Sequence, residues 1–149
     1  MARSHPTSLS DDARAFLDAH RVAHLATVDA QRVAPHVVPL CYARIDDAVY
    51  FIVDDKPKQP GRTLTRMRNI AGCPRVALVI DDYDEDWTRL AYLLLHCNAA
   101  VVTSETQFST ALQALRQRYP QYLPMPLAFA THPMVRMEIR RWHFWRATA

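Results

Sequence analysis

Residues 56–69, KPKQPGRTLTRMRN, place Lys56, Lys58, Arg62, Arg66 and Arg68 within fourteen positions and include no acid. Asp54 and Asp55 stand immediately before them. Lysine offers a point charge and arginine a planar fork that matches phosphate oxygens. A loop carrying Lys56 and Lys58, followed by a helix presenting Arg62 and Arg66, can converge on one phosphate. A solvated helical face would usually interleave glutamate at i,i+4, and none is present here. The residues alone leave two readings open, an anion site and a plain cationic surface. Nucleic acid fits less well, because no stacking aromatics alternate with the cations.

Other candidates for chemistry are weaker. His20 and His24 have helical metal-ligand spacing, but the intervening RVA lacks the glutamate of a zinc-protease motif. His36 and His96 each fall in strand-like segments, where a satisfied structural histidine is the ordinary case. With only Gly61 and Gly72 in the chain, neither a P-loop nor a dinucleotide fingerprint can form. No GxSxG nucleophile elbow is present. The acidic run Asp81, Asp82, Asp84, Glu85, Asp86 lacks calcium-loop spacing and its glycine. It reads as a solvated loop, and no metal site is expected.

The 149 residues suit a single domain, 1–149, able to bury a core without disulfides or metals. The net charge of +3 is mild, so the cations at 56–69 are a local concentration rather than a general one. Cys41, Cys73 and Cys97 are odd in number and widely spaced, as in a reducing compartment. The N-terminal residues MARSHPTSLSDDARAF have no apolar signal-peptide core. The longest apolar run, AYLLLHCNAAVV, is too short to span a bilayer. A cytoplasmic protein is expected.

The elements that must position the cations can be read from periodicity. Ser10 caps a first helix that ends near Arg21, with Asp11 and Asp12 in its first turn. AHLATVD, the long APHVVPLCYARID and AVYFIVD read as three strands of an antiparallel meander, with Pro35 and Pro39 at edges or bulges. A helix from about Arg62 to Ala71 puts Leu64, Met67, Ile70 and Ala71 on one face and Arg62, Thr65, Arg66 and Asn69 on the other. RVALVID and LAYLLLHCNAAVVTS follow as strands, then a helix capped by Ser109, a proline-rich linker, and a last strand through VRMEIRRWHFWRAT. The pattern predicts a mainly β protein, a small barrel with helical connections.

The order ATVD, PHVVP, a third strand, a Lys/Arg segment, a helix and PRV resembles the split-barrel family of pyridoxamine 5′-phosphate oxidase-like flavoproteins. DDKPK, RNIAGCPRV, DDYDEDWTRL, LRQRYPQY and RWHFWRA are similar to its branch of probable users of the deazaflavin coenzyme F420. The resemblance runs from about Ala23 to Arg146. Three positions depart from the family pattern: Ala30 in the first hairpin, Cys73 before Pro-Arg-Val, and Asn98 in the fifth strand. Alanine is poor at positive φ, which argues for a longer first turn.

The resemblance implies a split β-barrel, FMN-binding-protein-like and homodimeric, with a cofactor in each of two clefts between subunits. It implies an oxidoreductase that uses F420 or FMN and moves hydride to or from a small organic substrate. The cofactor carries that chemistry, so no catalytic side chain is expected. The resemblance puts Lys56, Lys58 and Arg62 at the cofactor phosphate, with Arg66 and Asn69 nearby. His36, Val37, Val38 and Pro39 would line the ring, and Trp87 and Arg89 would reach the cofactor of the second subunit. Trp142 and Trp145 are candidates for the substrate wall or for simple packing. The alternatives are an FMN oxidase of the pyridoxamine-phosphate-oxidase type and a non-enzymatic flavin or haem protein, with His36, His96 or His143 as the haem ligand. A barrel with a merely solvated cationic loop would bind none of these.

Overall fold

The computed structural model describes residues 8–55 and 64–148. In chain order the elements are α1 (Asp11–Ala19), β1 (Ala23–Asp29), β2 (Ala34–Leu40), β3 (Ala43–Ile45), β4 (Ala48–Ile52), α2 (Thr65–Gly72), β5 (Arg75–Asp82), β6 (Ala91–Val101), α3 (Glu105–Arg118) and β7 (Met134–Arg146). Short 3-10 turns cover Trp87–Arg89 and Pro120–Tyr122. The strands form one seven-stranded sheet in the order β2-β1-β5-β6-β7-β4-β3, and every neighbouring pair is antiparallel.

The connectivity forces this sheet to curl. Laid flat, seven strands about 4.8 Å apart would separate the two edges by roughly 29 Å. The edges are β2 and β3, and the chain crosses between them through Cys41 and Tyr42 alone. Three Cα steps reach at most about 11 Å. The sheet therefore rolls into a barrel that stays open at the β2/β3 seam. The expected long second strand is interrupted at this point, because its two halves belong to opposite edges.

Tyr42 is fully buried at the seam. Its hydroxyl donates to the Leu17 carbonyl at 2.5 Å, and its amide donates to the Tyr119 hydroxyl at 3.0 Å. The Arg118 guanidinium donates to the carbonyls of Tyr42 at 3.0 Å, Asp18 at 2.8 Å, and His20. The ends of α1 and α3 are thus locked onto the kink.

Burial follows the strand period of two. Every residue of β4 is buried. Val49 and Phe51 enter the barrel core with Leu25, Leu78, Leu93 and Leu95. Ala48, Tyr50 and Ile52 face the other way and pack under α3 against Phe108, Ala111, Leu112 and Leu115. The Ser10 cap is present, its Oγ accepting from the Ala13 amide at 3.2 Å. For α3 the cap is Ser104, accepting from Gln107 at 3.2 Å, rather than Ser109. Starting there puts Phe108 on the apolar face with Ala111, Leu112 and Leu115. Pairing of His96 with Arg141 and of Cys97 with Ile139 leaves Arg140 as a bulge in β7. Arg140 and Arg141 are consequently both exposed. No helix among the described residues is long and apolar enough to cross a membrane.

Candidate functional site

Lys56, Lys58 and Arg62 lie outside the described residues. What the structure describes is the ground on either side of them, the end of β4 and the whole of α2. Asn69 does not lie on an outer helical face. It is 4% exposed, and its Nδ2 donates to Thr27 Oγ1 at 3.0 Å. Thr27 stands opposite His36 in the β1–β2 register. Asn69, Thr27 and His36 therefore form one row from α2 across β1 to the free edge strand. His36 Nδ1 is enclosed and has no hydrogen-bond partner among the described residues.

Arg66 lies one helical turn before Asn69. Its guanidinium sits 5.8 Å from the Phe51 ring centroid. Its Nε is enclosed and has no hydrogen-bond partner among the described residues. Burial pulls the Arg66 pKa below its ordinary value, and the Asp54 carboxylate opposes this. Arg66 lines a cleft of about 350 Å³ with Pro39, Leu40, Phe51, Asp54 and Tyr122. The walls are largely apolar and the polar groups few, as in small-molecule sites. An unpartnered N–H at half burial is costly, and an anion or carbonyl oxygen would satisfy it.

Asp54 is 7% exposed and Tyr122 2%. The Tyr122 hydroxyl donates to Asp54 Oδ2 at 2.6 Å. Burial first, then Asp54, pushes the Tyr122 hydroxyl far above its ordinary pKa, so it stays protonated. Sequence reasoning missed Thr27, Phe51, Asp54 and Tyr122. Tyr122 is 68 positions from Asp54, and no local pattern joins them.

The other expected residues divide. Along β2, Val37 is exposed and Val38 half-buried; Val38 packs against the barrel core. Pro39 reaches the Arg66 cleft, whereas Val37 points to the outside and is 62% exposed. Trp87 is 69% exposed on the β5–β6 connection. Arg89 lies 4.0 Å from Asp84 and 3.7 Å from Asp86, and neither Trp87 nor Arg89 lines the cleft. Trp142 is buried in the barrel core and its Nε1 donates to the Ser8 carbonyl at 3.3 Å, so it packs. Trp145 stacks on Tyr92 at 5.6 Å.

A second groove, about 700 Å³, runs over the outer face of β1, β5, β6 and β7. Arg75, His96, Asn98, Arg140 and Arg141 line it. Burial, and then the nearby Arg141, lower the His96 pKa and favour its neutral ring. Among the described residues no cluster of three or more His, Cys, Asp or Glu is placed to hold a metal.

Solved structures share this architecture. A conserved hypothetical protein of Mycobacterium tuberculosis superposes with a TM-score of 0.72 at 19% identity, over 97% of this chain and 90% of that one. A FAD-binding protein of Mesorhizobium loti gives 0.66 at 21% identity, over 92% and 94%. HutZ, the haem storage protein of Vibrio cholerae, gives 0.69 at 14% identity, over 93% and 94%. These likenesses establish the fold. No curated protein matches the chain. The family profile described as pyridoxamine 5′-phosphate oxidase matches residues 9–146, and with the rolled seven-stranded sheet it makes this chain a member of that split-barrel family.

Proposed function

We propose that the chain is an oxidoreductase that binds a flavin-type cofactor, FMN or coenzyme F420, between two copies of itself. When bound, the cofactor supplies hydride chemistry to or from a small organic substrate. The observation that carries this reading is the enclosed, unpartnered Nε of Arg66 in an apolar-walled cleft, in a chain of a family named for a phosphorylated substrate. Arg66 would hold the cofactor's anionic end together with Lys56, Lys58 and Arg62. Asn69 would act by fixing α2 against β1. His36, Val37, Val38 and Pro39 would border the ring along the free edge of β2, with Trp87 and Arg89 reaching in from the second copy. The three thiols, none in a disulfide, suit a reducing cytoplasm.

FMN and F420 each combine a phosphate with a planar tricycle, and the cleft chemistry suits both. Similarity to the branch that uses F420 inclines the reading toward the deazaflavin. A parallel fluorescence titration of the apo-protein with F420 and FMN tests it. Micromolar or tighter binding of either supports the proposal and identifies the cofactor. Binding of neither refutes it, and a Soret band on adding haem would move the chain to the haem-binding alternative.

A further inference from the structure

The Arg66 cleft contains a carboxylate that ought to compete for the arginine. Asp54 is buried in the same cleft, and its charge acts on Arg66. A half-buried guanidinium beside a buried carboxylate ordinarily pairs with it, because both ions lose hydration. Yet none of the ion pairs among the described residues includes Arg66. Instead Asp54 Oδ2 takes the Tyr122 hydroxyl at 2.6 Å.

Tyr122 is well placed to hold that carboxylate. Its backbone carbonyl accepts from Arg116 Nε at 3.1 Å, and Arg116 Nη2 also donates to Met125 O at 2.8 Å. Its ring meets Tyr119 edge-on at 5.6 Å. The backbone around Asp54 is pinned as well. The Val53 amide donates to Pro133 O at 2.9 Å. The next residue, Asp55, faces His132 Nε2 at 2.9 Å. His132 Nδ1 accepts from the Ala128 amide at 3.1 Å, so Nε2 carries the proton and donates to Asp55. The connector between α3 and β7 thus grips both acids that precede the cationic segment.

We infer that Tyr122 is a positioning residue: it keeps the Asp54 carboxylate turned from Arg66, which leaves the guanidinium open to an external anion. This rests on the reading of Arg66 as an anion ligand. Without the hydroxyl, Asp54 would swing onto Arg66 and close the site from within. A carboxylate held in the same molecule is a strong competitor, since its effective concentration is high.

The test uses the full chain, inorganic pyrophosphate as the probe, and NMR of the Arg66 Nε–H, assigned by its loss in Arg66→Lys. In wild type the signal should be that of an unpaired Nε–H and should shift as pyrophosphate is added. In Tyr122→Phe it should start at a carboxylate-paired position, and the pyrophosphate midpoint should rise at least tenfold. Adding Asp54→Asn to Tyr122→Phe should restore both. An Nε–H signal that Tyr122→Phe leaves unchanged overturns the inference, as does a lost midpoint that Asp54→Asn fails to rescue. A wild-type signal blind to pyrophosphate sinks the anion reading of Arg66, while the signal in Tyr122→Phe still decides whether Tyr122 restrains Asp54.

Discussion

The Asn69 side-chain amide donates to the Thr27 hydroxyl at 3.0 Å, and both groups are 4% exposed. Together with Ile70 in the barrel core, this contact ties α2, and with it Arg66, to the strand that pairs with His36. Asn69→Ala should cost about 1–3 kcal/mol, because it leaves the Thr27 hydroxyl buried without its partner. Thr27→Val should cost less in an Asn69→Ala background than alone. Urea unfolding of the four proteins of this cycle measures the coupling; additive effects would mean that the bond contributes nothing.

Arg118 ties three backbone carbonyls across the seam, those of Tyr42, Asp18 and His20. Its guanidinium also lies 5.1 Å from the Tyr42 ring centroid. Arg118→Met keeps much of the apolar stem and removes the donors. A loss of about 1.5–3 kcal/mol is expected from the lost charge-assisted hydrogen bonds, since the Tyr119 and Tyr42 hydroxyls still donate to the Tyr42 and His20 carbonyls. The loss should be larger than that for Arg140→Met on the exposed bulge, by thermal or urea unfolding.

Cys97 is 3% exposed in the barrel core. Burial raises its thiol pKa from 9.0 to about 12. The folded protein therefore keeps this proton after the unfolded chain has lost it. The stabilising effect is complete below pH 9 and is lost as pH rises toward 12. Thermal melts between pH 7 and 10.5 should fall more steeply for wild type than for Cys97→Ala. Under native conditions iodoacetamide should modify the half-buried Cys41 and Cys73 well before Cys97.

Much of the barrel was legible because its signals are local. Ser10 with Asp11 and Asp12 announced α1, and alternation in β7 announced the last strand. The break at Cys41–Tyr42 was not legible, since it follows from which sheet edges β2 and β3 join. Ser109 looked like the α3 cap, although Phe108 at helical spacing from Leu112 and Leu115 already pointed one turn earlier. The site was legible only as a collection of cations. Asn69 on the supposed outer face turned inward to Thr27, a long-range pairing that helical periodicity cannot encode. The Tyr122–Asp54 bond joins segments 68 positions apart and left no trace in either segment.

Arg66 should matter to ligand binding and little to folding, because its Nε has no hydrogen-bond partner among the described residues to lose. Arg66→Gln is expected to weaken FMN or F420 by about 1.5–3 kcal/mol, the scale of one charge-assisted contact. The double variant Lys58→Ala/Arg62→Ala should cost about 2–4 kcal/mol on the same scale. Fluorescence titration gives both numbers. Unchanged affinity in the double variant would remove those two cations from the site.

Recognition of a flavin-type cofactor by its phosphate is tested most directly with ligands that carry and lack that group. FMN is titrated against riboflavin, which differs in the phosphate alone, and F420 against its deazaflavin core, which lacks the phosphodiester together with the tail beyond it. The phosphorylated member of at least one pair should bind at least about a hundredfold tighter, two charge-assisted contacts' worth, with the gap shrinking in Arg66→Gln. Equal affinity within both pairs would contradict it and return the cations at 56–69 to the solvated surface.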